Sequence, residues 1–185
     1  MTELKDNGME IKRLDREEYD YYVLEYRYSS REYYKVSVNQ SKEQMSVTFS
    51  REKLQETRFF ENADTLFQDY WNAPEAYAVF DGTEKPVAFL ELDFEEWNSR
   101  VRITQLLVDE NKRRKGYGKA LVDFAKRVAL ERDYRIVVLE TQSNNVNAID
   151  FYFSQGFRFC GSNIYFYSND DIGENEVMLE IAYLL

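Results

Sequence analysis

The stretch Lys112-Arg113-Arg114-Lys115-Gly116-Tyr117-Gly118-Lys119 has five basic residues among eight and no acid. The apolar run Leu106-Leu107-Val108 precedes it. After it, Ala120, Leu121, Phe124, Ala125, Val128 and Ala129 recur at helical spacing. A strand therefore gives way to a helix across this basic turn. A helix start presents unpaired backbone N–H groups and the positive end of a dipole. Glycines let the backbone approach a ligand and take positive φ. Together these features make a phosphate or pyrophosphate site. A solvated basic turn with a helix cap is the other reading of the same spacing. A P-loop is excluded, because Lys119 is followed by Ala120 and Arg113 stands where the first glycine belongs. A dinucleotide fingerprint is excluded because Leu121 stands where its last glycine or alanine belongs.

Working outward, Tyr77–Phe80 and Val87–Phe94 read as two strands around an Asp81-Gly82 turn. Trp97-Asn98-Ser99 is a second turn, and Val101–Val108 a third strand of an antiparallel meander. Beyond the helix, Arg135–Thr141 reads as a short strand covered on both sides. Asn145–Gln155 reads as a second helix, closed by Gly156. Phe157–Tyr167 and Glu176–Leu184 read as final strands. Towards the start, Glu10–Leu14 reads as a strand and residues 1–8 are expected to fray. Val36, Val38, Val47 and Phe49 fall in possible strands. Residues 51–72 look helical, with Leu54, Phe59, Phe60, Leu66, Phe67 and Tyr70 as the apolar set. The order of elements predicts an α/β (mixed α+β) fold: a mixed, mostly antiparallel sheet with helices on its faces.

The chain has 185 residues, which predicts a single domain that buries roughly 70% of its unfolded surface. It has no histidine and one cysteine, Cys160. Ser-His-Asp and Cys-His nucleophile systems are excluded, as are metal sites built on imidazole or on cysteine alone. One thiol and the lack of a signal-peptide pattern predict a cytoplasmic setting. The longest aliphatic run, Ile136-Val137-Val138-Leu139, is far short of a membrane span. Lys and Arg number 24 against 34 Asp and Glu, a net charge of −10. Such a chain should avoid nucleic acid and attract cationic small molecules. Seven of its fifteen tyrosines lie between residues 15 and 34, where they line a cation–π pocket or simply pack. Cys160 is expected to be a buried, small apolar residue.

The motifs resemble those of a known family. Arg113-x-x-Gly116-x-Gly118 is similar to the acyl-CoA signature of the GNAT superfamily of N-acetyltransferases. Leu106-Leu107-Val108 is similar to its pantetheine-binding strand. Asn145-x-x-Ala148-x-x-Phe151-Tyr152-x-x-x-Gly156-Phe157 is similar to its second signature. The resemblance covers about residues 77–167. Within the superfamily, Trp97-Asn98, Leu139-Glu140-Thr141-Gln142 with Asn144-Asn145, and Gly156-Phe157 with Gly161-Ser162 are most similar to streptothricin acetyltransferases.

The resemblance implies a sheet of about seven strands, with helices on both faces, splayed open between the strand ending at Val108 and the strand 135–141. Acetyl-CoA would lie in that gap as co-substrate, and no metal is implied. Its pantetheine amides would bond to main chain at Leu106, Leu107 and Val108, like an added strand. The loop from Arg113 to Ala120 would take the pyrophosphate, with Asn145, Ala148 and Tyr152 completing the site. The implied reaction is direct transfer of acetyl to a cationic amine, streptothricin being the named candidate, which would confer antibiotic resistance. A polyamine, a protein N-terminus or a protein lysine is the alternative acceptor. A CoA-binding module without turnover is the alternative of another class. The protein is expected to be a monomer or homodimer that binds neither nucleic acid nor membrane.

Amine attack on a thioester needs a neutral amine, and at neutral pH well under about one in a hundred Lys-type amines is unprotonated. A carboxylate can take the proton. The oxyanion needs a donor, which the resemblance places at the Val108 N–H. The departing thiolate needs a proton, which the resemblance assigns to Tyr152. A packed core aromatic is the other reading of Tyr152. Many relatives carry a carboxylate on the strand before the loop, where Thr104-Gln105 is neutral here. The remaining candidates for the base are Glu140, which interrupts an apolar strand, and Glu91 or Asp93. At strand period Glu91, Asp93 and Glu95 share one face. They form either an acidic wall for a cationic acceptor, alongside Glu140, or a solvated sheet face.

Overall fold

The computed structural model describes residues 3–6, 9–82 and 84–185, with the backbone alone for residues 3–6. In chain order the elements are β1 (Glu3–Asp6), β2 (Met9–Arg13), α1 (Arg16–Tyr19), β3 (Val23–Gln40), β4 (Met45–Thr65), β5 (Glu75–Val79), β6 (Ala88–Glu95) and β7 (Arg100–Val108). There follow α2 (Tyr117–Glu131), β8 (Ile136–Gln142), α3 (Val146–Ser154), β9 (Arg158–Asn163), α4 (Asp171–Glu174) and β10 (Met178–Leu184). The expected fraying of residues 1–8 lies outside the described residues at 1, 2, 7 and 8. Glu3–Asp6 instead pairs with β2, Glu3 opposite Lys12 and Asp6 opposite Met9.

The chain forms two compact units. One holds the residues up to Tyr26, Glu61–Leu139 and Tyr183–Leu185; the other holds Arg27–Phe60 and Glu140–Ala182. In the first unit the strand order is β1-β2-β5-β6-β7-β8. All contacts are antiparallel except β7–β8, whose parallel ladder runs from Arg100↔Ile136 to Ile103↔Leu139. The meander follows from its turns: Asp81-Gly82 lies between β5 and β6, and a 3-10 turn at Glu96–Asn98 lies between β6 and β7. α2 buries Ala120, Leu121, Phe124, Ala125, Val128 and Ala129, the set its spacing predicts. Phe124 meets the ring of Tyr77 edge-on at 4.7 Å. A second apolar cluster gathers Leu14, Leu24, Leu66, Phe67, Ala76, Ala78 and Phe89, with Tyr19 and Tyr26 packed against it. These tyrosines pack.

In the second unit β9 and β10 are antiparallel, Met178 opposite Asn163 and Leu179 opposite Ser162. Val36, Ile149, Val177 and Leu179 form its core with Tyr34, Phe49, Ile164 and Ile172. Tyr28 stacks on Phe60 at 4.7 Å, again a packing role. α3 ends where expected, with Gly156 at φ +86 and its N–H on the carbonyl of Phe153.

Three expectations are corrected. Residues 51–72 are not a helix: Met45–Thr65 is β4, paired with β3 as a two-stranded ribbon. Pairing with the preceding strand β3, across the turn at 41–44, satisfies its backbone and overrides the local period, leaving Phe59 80% exposed. The strand expected over Phe157–Tyr167 stops at Asn163, and Tyr165, Phe166 and Tyr167 follow in a turn whose N–H groups at 166, 167 and 168 donate to the buried Asp171. Cys160 is exposed rather than buried. It sits on β9, an edge strand among the described residues, with its Sγ 3.3 Å from the carbonyl of Glu180.

Candidate active site

Strand β7 offers an edge. Asp109 donates its N–H to the carbonyl of Val87 at 2.9 Å. Ala88 and Val108 are therefore opposed without bonding each other directly. By the alternation of an antiparallel ladder, Leu107 and Gln105 bond to β6 while the N–H and C=O groups of Leu106 and Val108 point away from it. Arg113 reaches back from the following loop, its Nε 3.4 Å from the carbonyl of Val108.

The loop then turns into α2 through two left-handed residues, Arg114 at φ +63 and Gly116 at φ +91. Among the described residues, the N–H groups of Arg114 to Lys119 donate to no backbone carbonyl. A run of unclaimed donors at the start of a 15-residue helix fits an anionic diphosphate. The basic residues divide. Lys112 is tied to Asp81 at 2.8 Å and Lys119 to Asp123 at 2.5 Å. Arg114 and Lys115 have no ion-pair partner among the described residues, so their charge is available to a ligand. Asp81 also accepts from the Tyr117 hydroxyl. The β5–β6 turn thus braces the loop, a contact that the sequence reading missed.

The expected acidic face of β6 is buried. Glu91 is 0% and Asp93 2% exposed, because the segment after β4 covers them. Neither is a solvated wall for an acceptor. Glu91 Oε1 accepts the Phe67 N–H at 2.6 Å, and Phe67 holds a left-handed φ of +59 there. Glu91 Oε2 accepts the Thr104 hydroxyl at 2.6 Å. Asp93 accepts the Ala73 N–H at 3.2 Å. Glu95 is bound to Arg100 at 2.5 Å and to Arg102 at 2.7 Å. Burial pushes the Glu91 carboxyl above its ordinary value despite the Thr104 and Phe67 donors, and the nearby Asp64 and Asp93 charges push it the same way. Gln105 is locked in place: it accepts from Tyr26 at 2.5 Å and donates to Asp64 at 2.6 Å.

In the second unit Asn145 caps α3, its side chain accepting the Ala148 N–H at 3.3 Å. Tyr152 is 8% exposed and meets Phe151 and Phe157 edge-on. Its hydroxyl has no hydrogen-bond partner among the described residues. Burial raises its pKa, so it stays protonated at neutral pH. Glu140 is exposed and accepts the Tyr167 hydroxyl at 2.6 Å, so it does not lie in a dry pocket. A cleft of ≈ 1100 Å³ opens between Ser29–Glu32, Arg51–Thr57 and the start of α3 at Val146 and Asn147. Its walls carry both signs of charge and select no ligand charge. Among the described residues, no group of three or more His, Cys, Asp or Glu could hold a metal ion. No helix among them is long and apolar enough to cross a membrane.

Comparison with known proteins identifies the family and the fold. The profile of the acetyltransferase (GNAT) family matches residues 41–157. A streptothricin acetyltransferase of Escherichia coli is 35% identical over 83 residues, 45% of this chain and 48% of that protein. The matched stretch thus spans about half the length of that curated relative. The crystal structure of nourseothricin acetyltransferase superposes with a TM-score of 0.72 at 18% identity, covering 94% of this chain and 96% of that one. A Bacillus anthracis str. Ames protein crystallised with acetyl coenzyme A superposes with a TM-score of 0.69 at 23% identity, covering 95% and 96%. At these identities the two structures establish a shared fold.

Proposed function

The chain belongs to the GNAT acetyltransferase family, and on that premise we propose that it moves an acetyl group from acetyl-CoA to an amine of a cationic small molecule, with streptothricin the first candidate. The observation that carries this reading is the run of unclaimed N–H donors from Arg114 to Lys119, close along the chain to the outward-pointing main chain of Leu106 and Val108. Acetyl-CoA supplies an activated acyl carbon on a thiolate leaving group; the remaining work falls to the chain's own residues.

The donors of residues 114–119 and the charges of Arg114 and Lys115 hold the pyrophosphate. The main chain of Leu106 and Val108 bonds the pantetheine amides in the manner of an added strand. The Val108 N–H steadies the oxyanion of the tetrahedral intermediate. Tyr152 keeps its proton until the departing thiolate takes it. Asn145 fixes the start of α3, and Ala148 lies on the same helix one turn before Tyr152. Glu140, exposed beside Tyr167, serves as a carboxylate for acceptor charge rather than as the base. The supporting relatives act on streptothricin by name, and the chain's own net charge of −10 favours a cationic acceptor.

The test is incubation with acetyl-CoA and streptothricin, following thiol release and the acetylated product together. Equal amounts of both support the reading. Thiol release without acetylated streptothricin sends the acceptor assignment back to a polyamine or a peptide amine.

A further inference from the structure

We propose that Glu91 is the proton acceptor for the attacking amine and that it acts through the hydroxyl of Thr104. This deepens the acetyl-transfer reading and rests on it. The neutral Thr104-Gln105 pair leaves that reading without a base on β7, and the register of the sheet supplies one from β6. Glu91 lies opposite Gln105 and Leu92 opposite Ile103, so Thr104 is the extra residue of a bulge. A bulge bends its strand and re-aims a side chain. Thr104 remains half-buried, two residues before Leu106, whose main chain points away from β6.

The hydrogen bonding has a direction. One carboxylate oxygen of Glu91 is taken by the Phe67 N–H and the other by the Thr104 hydroxyl, each at 2.6 Å. The Thr104 proton is therefore committed to Glu91. Its oxygen keeps lone pairs free to accept an N–H. The charges facing Glu91 are Asp64 from the end of β4 and Asp93 on its own strand. Both are acids, and both favour uptake of a proton. A carboxylate kept only for structure at 0% exposure is ordinarily matched with a cation; this one is matched with a hydroxyl and an amide.

The step balances. The acceptor ammonium gives one proton to the Thr104 oxygen as the Thr104 proton passes to Glu91. This leaves Thr104 unchanged, Glu91 neutral and the amine free to attack. A C–N bond forms, the C–S bond breaks, and the second amine proton balances the one that the thiolate receives. Glu91 returns its proton to solvent through Thr104. Thr104 is then the group that touches the amine, and Glu91 acts through it.

The experiment measures kcat/KM for the acceptor from pH 5 to 9 in the wild type, Glu91→Gln, Thr104→Val and Thr104→Ser. Glu91→Gln and Thr104→Val should each lose about 100-fold at neutral pH. Both should also lose the inflection belonging to the carboxylate, leaving only the ionisation of the acceptor. Thr104→Ser, which keeps the hydroxyl, should restore the wild-type profile. If Glu91→Gln fails to fold, the two threonine variants decide. Variants that turn over with the wild-type profile, or lose rate without losing the inflection, overturn the relay while acetyl transfer stands. A wild type that turns over no amine overturns both.

Discussion

Asp81, in the turn between β5 and β6, holds the ammonium of Lys112 at 2.8 Å at the head of the loop that leads into α2. The same carboxylate takes the Tyr117 hydroxyl from the first turn of α2. A turn from the sheet thus fixes both ends of the loop proposed to take the diphosphate. Because the pair is partly solvent-exposed, its removal should be felt in binding and only mildly. Asp81→Asn should raise KM for acetyl-CoA about two- to five-fold with kcat unchanged. The difference should shrink in high salt. Steady-state kinetics at two ionic strengths checks this.

Gly116 takes φ +91, and a Cβ there would meet the Met9 Cε at an ordinary 3.5 Å. Space is not the obstacle; the left-handed backbone is. Gly116→Ala should cost about 1–2 kcal/mol of loop geometry and weaken CoA binding about five- to ten-fold or more. The protein should stay folded, as followed by circular dichroism beside calorimetric titration.

Tyr152 is enclosed by Phe151 and Phe157 and has no hydrogen-bond partner among the described residues. Tyr152→Phe preserves that packing and removes only the hydroxyl. Turnover should fall about ten-fold or more while the Kd for CoA stays constant. Equal loss of binding and turnover would assign Tyr152 to packing instead.

Burial raises the Glu91 pKa in the folded state. A raised carboxyl contributes its stability at low pH and loses it as pH rises through the folded value. Glu91→Gln has no such loss. Its Tm relative to the wild type should therefore climb as pH rises above the ordinary carboxylate range, by about 2–4 °C per kcal/mol of charge burial removed. A Tm difference independent of pH would contradict the buried, titrating carboxylate.

The strand-to-helix turn that carries the candidate loop was legible because its signals are local. The basic loop, its two glycines and the period of Ala120 to Ala129 lie within one strand-to-helix unit. The meander was legible from Asp81-Gly82 and Trp97-Asn98-Ser99. Other features depend on pairing and packing that the local period does not carry. The apolar set from Leu54 to Tyr70 matches a helical period, yet β4 forms because β3 pairs with it. Glu91 and Asp93 alternate as on a solvated face, yet residues 66–73 fold over them and donate N–H groups at Phe67 and Ala73. The one-residue bulge at Thr104 shifts the register beside Glu91 without marking the composition. A hairpin register drawn through the Trp97 turn would have placed the two residues near each other.

The central claim is acetyl transfer to a cationic amine, and thiol release from acetyl-CoA across streptothricin, spermidine, a simple aminoglycoside and a short peptide tests it most directly. Efficient release with dilute streptothricin, and much weaker release with the other amines, is the predicted result. Tight CoA binding with no release for any amine would contradict it and leave a CoA-binding module without turnover.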